Sequence, residues 1–153
     1  MIALAKLDQL ELLFCTFSEI HLPQVVYTEA TCNQYRPDAQ LITHFVKDNS
    51  RVSVHTDLKS DEFVVFGVML DEGEIQALAL ATKMRCGVLM DERLGRIVAK
   101  QHNIPVVGLM GILFNAKFQG AIPSVKPLII TLVEENYRLS DKVLELVLAR
   151  AGK

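Results

Sequence analysis

Tryptophan is absent from the 153 residues, and cysteine occurs three times, at Cys15, Cys32 and Cys86, with no CxxC pair. A disulfide scaffold is excluded, and reduced cysteines buried as small hydrophobes are expected. Long apolar runs are missing too. The longest stretch free of Asp, Glu, Lys, Arg and His, Asn103 to Ala116, has 14 residues and two glycines, too short for a bilayer span. Met1 to Ala5 is apolar, but Lys6, Asp8 and Glu11 interrupt it before a signal-peptide core can form. A reducing, cytoplasmic setting is the expectation. No GxSxG, GxGxxG or P-loop occurs, so neither a serine elbow nor a phosphate-cradling loop is indicated. His21, His44, His55 and His102 are scattered and suggest surface or loop positions rather than ligands. A large charge excess is also lacking. The net charge of −2 excludes a protein that coats nucleic acid through bulk basic charge.

What is present points to a folded chain. Half the residues are apolar and 22% are charged, which excludes intrinsic disorder. The length suggests one domain, 1–153, able to bury about 68–70% of its unfolded surface. Residues 1–70 hold five Lys/Arg against nine Asp/Glu, and residues 71–153 hold eleven against nine. A nucleic-acid substrate would therefore be held by a local patch in the second half.

Apolar periodicity predicts short strands alternating with helices. Helices are expected over 2–13, 23–32 with Pro23 as first helical residue, 37–47, 71–84, 92–102, 109–119, 125–136 and 140–151. Extended segments are expected at 19–22, 51–55, 87–90 and 105–107. The apolar run 63–70 fits a buried strand or a buried helix, with a lean to helix. Short apolar strands separated by helices indicate an α/β fold, a parallel sheet with helices on both faces and a helical C-terminal end.

The acidic residues carry the chemistry. Glu29 lies four residues after Val25 and three after Val26, which places it on the apolar stripe of its helix. A carboxylate there costs roughly a few kcal/mol unless a cation or donors satisfy it, or unless it reaches solvent from the stripe edge. Asp71 and Glu74 form an Asp variant of the capping box, yet Glu74 also leads the Leu78/Ala81 row and can turn inward. Gly73 beside them suggests a close approach. Asp91 follows the predicted strand 87–90, at the carboxyl end where open α/β sheets bind ligands, although a plain helix N-cap would also explain it. Arg93, Arg96 and Lys100 share one face of the next helix, either solvated or placed to hold phosphates. Convergence of Glu29, Glu74 and Asp91 would make a hard-oxygen site suited to Mg²⁺ or Mn²⁺ and metal-assisted hydrolysis.

The stretch LDEGEIQALALATKMRCGVLMDERLGRIVAKQHNIPVVGLMGILFNAKFQG, residues 70–120, closely resembles a PIN-domain branch related to VapC-type toxins. IALAKLDQLELL, LPQVVYTEA and YRLSDKVLELVLARAG extend the resemblance over nearly the whole chain. It implies a Rossmann-like α/β fold that cuts RNA with Mg²⁺ or Mn²⁺. By motif match, the metal-binding acids fall on Glu29, Glu74 and Asp91. It further implies a toxin paired with an antitoxin protein, usually as dimers.

One departure stands out. Members of that family normally begin with a strand carrying an aspartate, and this chain starts inside the helix that follows it. No residue here takes that role, and Asp8 lies after the helix start. The expectation is a sheet lacking a middle strand, whose two neighbours expose unpaired edges. Either several preceding residues or a partner strand or rearranged dimer would fill the gap.

Two functions remain open on these grounds. One is a metal-dependent ribonuclease that uses Glu29, Glu74 and Asp91, with phosphate contacts from Arg93 and Arg96. The other is a non-catalytic PIN-like interaction or RNA-binding module with an incomplete metal site. The helix 140–151, apolar on most sides through Val143, Leu144, Leu146, Val147, Leu148 and Ala149, suggests burial or a homodimer contact.

Overall fold

The computed structural model describes residues 1–59, 61–64 and 66–151. The chain opens with a short helix, α1 (Ile2–Lys6), which buries Ala3, Leu4 and Ala5. The predicted 2–13 helix does not run through. Asp8 adopts a left-handed φ of 52°, a conformation tolerated by aspartate, and the chain restarts as a 3-10 segment, Leu10–Cys15. Strand β1 (Ile20–Pro23) follows and leads into α2 (Gln24–Thr31). Pro23 is thus the last strand residue and the N-cap of α2, with φ −62° and ψ 146°, rather than the first helical residue.

Helix α3 (Pro37–Asp48) starts on its proline and buries Ala39, Ile42 and Phe45. Its first-turn Asp38 is buried and receives two hydrogen bonds from the Arg36 guanidinium, at 3.1 and 2.8 Å. Strand β2 (Val52–His55) returns parallel to β1, Ile20 facing Val52 and Pro23 facing His55. The ambiguous run 63–70 is neither strand nor sustained helix. One turn, α4 (Asp61–Val64), buries Phe63, and turns through Phe66–Met69 leave Val68 99% exposed. Val65 lies outside the described residues.

Helix α5 (Glu72–Met84) has the capping box expected of it: Glu74 N–H donates to Asp71 Oδ1 at 2.8 Å, and Asp71 N–H to Glu74 Oε2 at 3.0 Å. Arg85, at φ 53°, ends the helix in the left-handed region. Then come β3 (Val88–Leu89), α6 (Arg93–Gln101), β4 (Val106–Val107) parallel to β3, α7 (Leu109–Phe118), α8 (Lys126–Glu134) and α9 (Asp141–Ala151). Val143 and Leu144 of α9 pack on the larger core, whereas Ala149 is exposed. The side chains of Leu146, Val147 and Leu148 lie outside the described residues.

Among the described residues the strands form two separate parallel pairs, β1–β2 and β3–β4, not one continuous sheet. Two apolar clusters form the core, and the β3–β4 pair contributes to both through Leu89 and Val107 on one side and Val88 and Val106 on the other. The larger joins Leu4, Leu13, Ile42, Val52, Ile112 and Leu132, and the smaller joins Phe63, Leu78, Val88, Met90, Val98 and Ile104. The cysteines depart from expectation. Cys15 is half-buried and Cys32 and Cys86 are exposed, because two sit at helix ends and one follows the left-handed turn at Arg85. No helix among the described residues is long and apolar enough to cross a membrane.

The β1–β2 pair carries a titratable contact. His21 Nδ1 and His55 Nε2 lie 2.9 Å apart, and Glu19 Oε2 lies 3.6 Å from His21 Nε2. Burial first, then His21 and Lys83, hold His55 below its ordinary 6.5. A lowered histidine is neutral in the fold where the unfolded chain is already protonated. Its contribution to stability is therefore present above 6.5 and lost as the pH falls through the lower folded value. Thermal melts should show the parent losing more stability than His55→Gln between about pH 7.5 and about pH 5.5. Parallel losses in both proteins would refute this assignment.

Candidate functional site

The carboxyl ends of β3 and β4 lead directly into α6 and α7, the positions where open α/β sheets present ligand-binding residues. Asp91 stands in the first of these connections. It does not cap its own helix, whose N-cap is Glu92 without a side-chain hydrogen bond. Instead Asp91 Oδ1 accepts Leu109 N–H at 2.9 Å and so holds the first turn of α7. Gly108, the N-cap of α7, makes this approach available. A Cβ there would lie 2.8 Å from Asp91 Oδ1 and 2.6 Å from Arg96 Nη1, closer than side chains tolerate.

Glu74 reaches the same region from the first turn of α5. Its Oε2 is used by the capping box, while its Oε1 is buried and has no hydrogen-bond partner among the described residues. The two sequence explanations, cap and inward carboxylate, are both realised, one on each oxygen. Gly95 of α6 packs against this carboxylate: a Cβ at that position would be 3.4 Å from Glu74 Oε1 and would collide with Met90 Sδ. Burial raises the Glu74 carboxyl above its usual range, the Asp71 backbone hydrogen bond opposes this, and the Asp71 and Glu92 carboxylates add to it.

Glu29 comes from α2, which packs on α5. Of the two readings of Glu29, a carboxylate buried on the apolar stripe and one reaching solvent from its edge, the second is found. Glu29 is exposed and α2 has no fully buried residue, because this helix lies over the outside of the molecule. Its carboxylate nevertheless turns toward α5. Glu29 Oε2 and Asp71 Oδ1 lie 3.4 and 3.3 Å from the place a Gly73 Cβ would occupy, the close approach that Gly73 suggested.

Glu92 and Asp71 thus join the acidic region as neighbours whose charge Glu74 feels. Tyr137 joins it from the far side of the sequence. Burial raises its hydroxyl, and Asp91 and Glu92 add to the shift. Sequence reasoning missed Glu92, Gly108 and Tyr137 as site members. Only Glu92, paired with Asp91 in the chain, offered a local signal. Arg93 is exposed at the start of α6, whereas Arg96 is tied inward, donating from Nη1 to the Met90 carbonyl at 3.2 Å.

The donor set is oxygen-only, and Glu74 Oε1 is a buried acceptor without a partner. Both features suit a hard divalent cation. The carboxylates are not gathered into one coordination shell: no three His, Cys, Asp or Glu side chains among the described residues stand close enough together to hold an ion. Glu29, on α2, faces the first turn of α5 that carries Glu74, while Asp91 is bound to the first turn of α7.

Two parallel strand pairs flanked by helices, with acids beyond the strand carboxyl ends, define an α/β protein with an acidic region at those ends. A family model described as DUF3368: PIN domain matches residues 1–153, and the chain belongs to this PIN-domain family. No curated protein and no solved structure matches it. Membership in the family agrees with the α/β fold expected from the strand and helix pattern.

Proposed function

We propose that the chain, acting as a single domain over 1–153, is a metal-dependent ribonuclease that hydrolyses RNA phosphodiester bonds. PIN-domain membership supports a nuclease acting on nucleic acid. The observation that carries the reading to this chain is Glu74 Oε1, a buried carboxylate oxygen without a partner among the described residues, whose carboxyl feels Asp71 and Glu92 and whose helix turn faces Glu29. A carboxyl so placed is unstable as an anion unless a cation meets it.

Glu29, Glu74 and Asp91 would hold Mg²⁺ or Mn²⁺. Bound there, the ion supplies a water of lowered pKa and offsets phosphodiester charge. The rest falls to the protein. The Asp71 N–H orients Glu74 through Oε2 and leaves Oε1 facing inward. The Leu109 N–H orients Asp91 through Oδ1. Arg93, exposed at the α6 terminus, is placed to meet a phosphate, and Arg96 steadies the strand end through the Met90 carbonyl.

The resemblance to VapC-type toxins supports a toxin role with an antitoxin protein as partner, in a cytoplasmic setting. Exposed Leu94 and Ile97 on α6, with Ile130 and Val133 on α8, support homodimer formation. A second reading, a non-catalytic RNA-binding or interaction module, is favoured by the lack of a preassembled three-carboxylate group among the described residues.

The deciding experiment is RNA cleavage by the purified chain with Mn²⁺ or Mg²⁺, against EDTA and Asp91→Ala. Cutting that needs the metal and disappears in the variant is the expected result. No cutting by folded protein would replace the nuclease with the non-catalytic module, and metal-independent cutting would remove the metal from the reaction.

A further inference from the structure

Glu29 and Glu74 stand on different helices, and the capping box that orients Glu74 lies within α5 alone. The segment that follows β2 ties the two helices together through two side chains. Asp57 Oδ1 accepts the Val25 N–H at 3.1 Å, in the first turn of α2. Pro23, the N-cap of that helix, makes no side-chain capping bond, so the cap arrives from a residue 32 positions away.

One residue further on, Gln76 of α5 takes both backbone groups of Leu58. Its Oε1 accepts the Leu58 N–H at 2.8 Å, and its Nε2 donates to the Leu58 carbonyl at 2.9 Å. The same Nε2 donates to Glu72 Oε1 at 3.0 Å. Gln76 is only 6% exposed, and the other buried residues of α5 are apolar or glycine. A buried amide is costly unless its groups are bonded, and here the Leu58 backbone bonds it much as a neighbouring strand would.

The consequence falls at Gly73. A Cβ there would lie 3.3 Å from Val26 Cγ2 and 3.4 Å from Glu29 Oε2, so α2 passes close against the backbone of α5. Val26 and Glu29 follow the Val25 amide that Asp57 holds, and Gly73 and Glu74 precede Gln76 by less than one turn. Both ends of the tether therefore sit beside the residues whose approach it sets.

We propose that Asp57 and Gln76 are positioning residues which, through the Asp57–Leu58 backbone, align Glu29 with the first turn of α5 and fix its separation from Glu74. They act through the two helices and not on the acids themselves. Their value to a metal site rests on the reading of Glu29 and Glu74 as ligands, whereas the alignment does not.

The test follows the Gly73 amide by ¹⁵N NMR on the full chain, first without metal. Glu29→Gln removes the charge facing Gly73 and should shift this resonance in the parent protein. In the backgrounds Asp57→Ala and Gln76→Met the same shift should fall to less than half. Asp57→Asn, whose carbonyl can still accept the Val25 N–H, should restore it. Asp57 is exposed, so its variants stay folded even where the buried Gln76→Met does not. Mn²⁺ is then titrated, with paramagnetic broadening of Gly73 as the signal. Asp57→Ala should need about tenfold more Mn²⁺ than the parent, and Asp57→Asn about the same as the parent. An undiminished Gly73 shift in folded Asp57→Ala overturns the proposal, as does an asparagine variant that behaves like the alanine one. If Mn²⁺ broadens nothing in the parent while Asp57→Ala still loses the shift, the metal reading fails and the alignment stands.

Discussion

Asp91→Asn is expected to lose metal-dependent RNA cleavage by about 100-fold or more while melting close to the parent protein. The asparagine carbonyl can still accept the Leu109 N–H, so the first turn of α7 stays capped. A neutral amide is a far weaker partner than a carboxylate for a hard divalent cation, so charge is the property removed. Asp91→Ala should lose the same activity and, in addition, about 1 kcal/mol of stability, because Leu109 N–H then lacks its acceptor. Cleavage rates with Mn²⁺ and thermal melts of the three proteins separate the two roles. Full activity in Asp91→Asn would remove Asp91 from the set of ligands.

Leu78→Ala should lower stability by about 2–5 kcal/mol, a large part of what a domain of this size has in total. Leu78 is 0% exposed and lies in the smaller core with Phe63, Ile75, Val88 and Val98. Its helix, α5, also carries Glu74 at the first turn, so a cavity there loosens the support of the candidate site. Urea unfolding gives the measurement, with Phe118→Ala, 91% exposed at the end of α7, as a control expected within about 0.5 kcal/mol of the parent. A loss under about 1 kcal/mol at Leu78 would show that the smaller cluster collapses readily around the void.

The helices were the most legible part of the fold. Pro37 at a helix start, Asp71 with Glu74 at a capping box and the apolar rows of α5 and α7 are short-range signals. Errors fell where a distant contact or a single backbone angle decided the outcome. Asp8 broke an otherwise continuous apolar pattern by entering the left-handed region. Pro23 could satisfy either a strand end or a helix start, and pairing with His55 made it the strand end. The run 63–70 was apolar throughout, and burial of Phe63 and Leu70 left Val68 between them in solvent.

The candidate site shows the same limits. Sequence spacing singled out Glu29, Glu74 and Asp91, but it left Asp91 between a strand-end ligand and a cap of its own helix, and Glu29 between a buried stripe and solvent. Asp91 belongs to the start of α7, 18 residues onward, and Glu29 is exposed while its carboxylate faces Gly73. Tyr137, whose hydroxyl feels Asp91 and Glu92, had no local signature. Side-chain type and helical period are local properties. Which oxygen of a carboxylate remains unpartnered depends on segments far apart in the chain.

The amino-acid sequence by itself determined an α/β chain, most of its helices and the three acids worth testing, because capping, periodicity and side-chain chemistry act over a few residues. Tertiary structure alone decided that the strands form two separate pairs. It also decided that Glu74 keeps one oxygen in the cap and one buried with no partner among the described residues. Strand pairing and desolvation are long-range effects, set by which backbone edges and helix faces meet once the chain has collapsed.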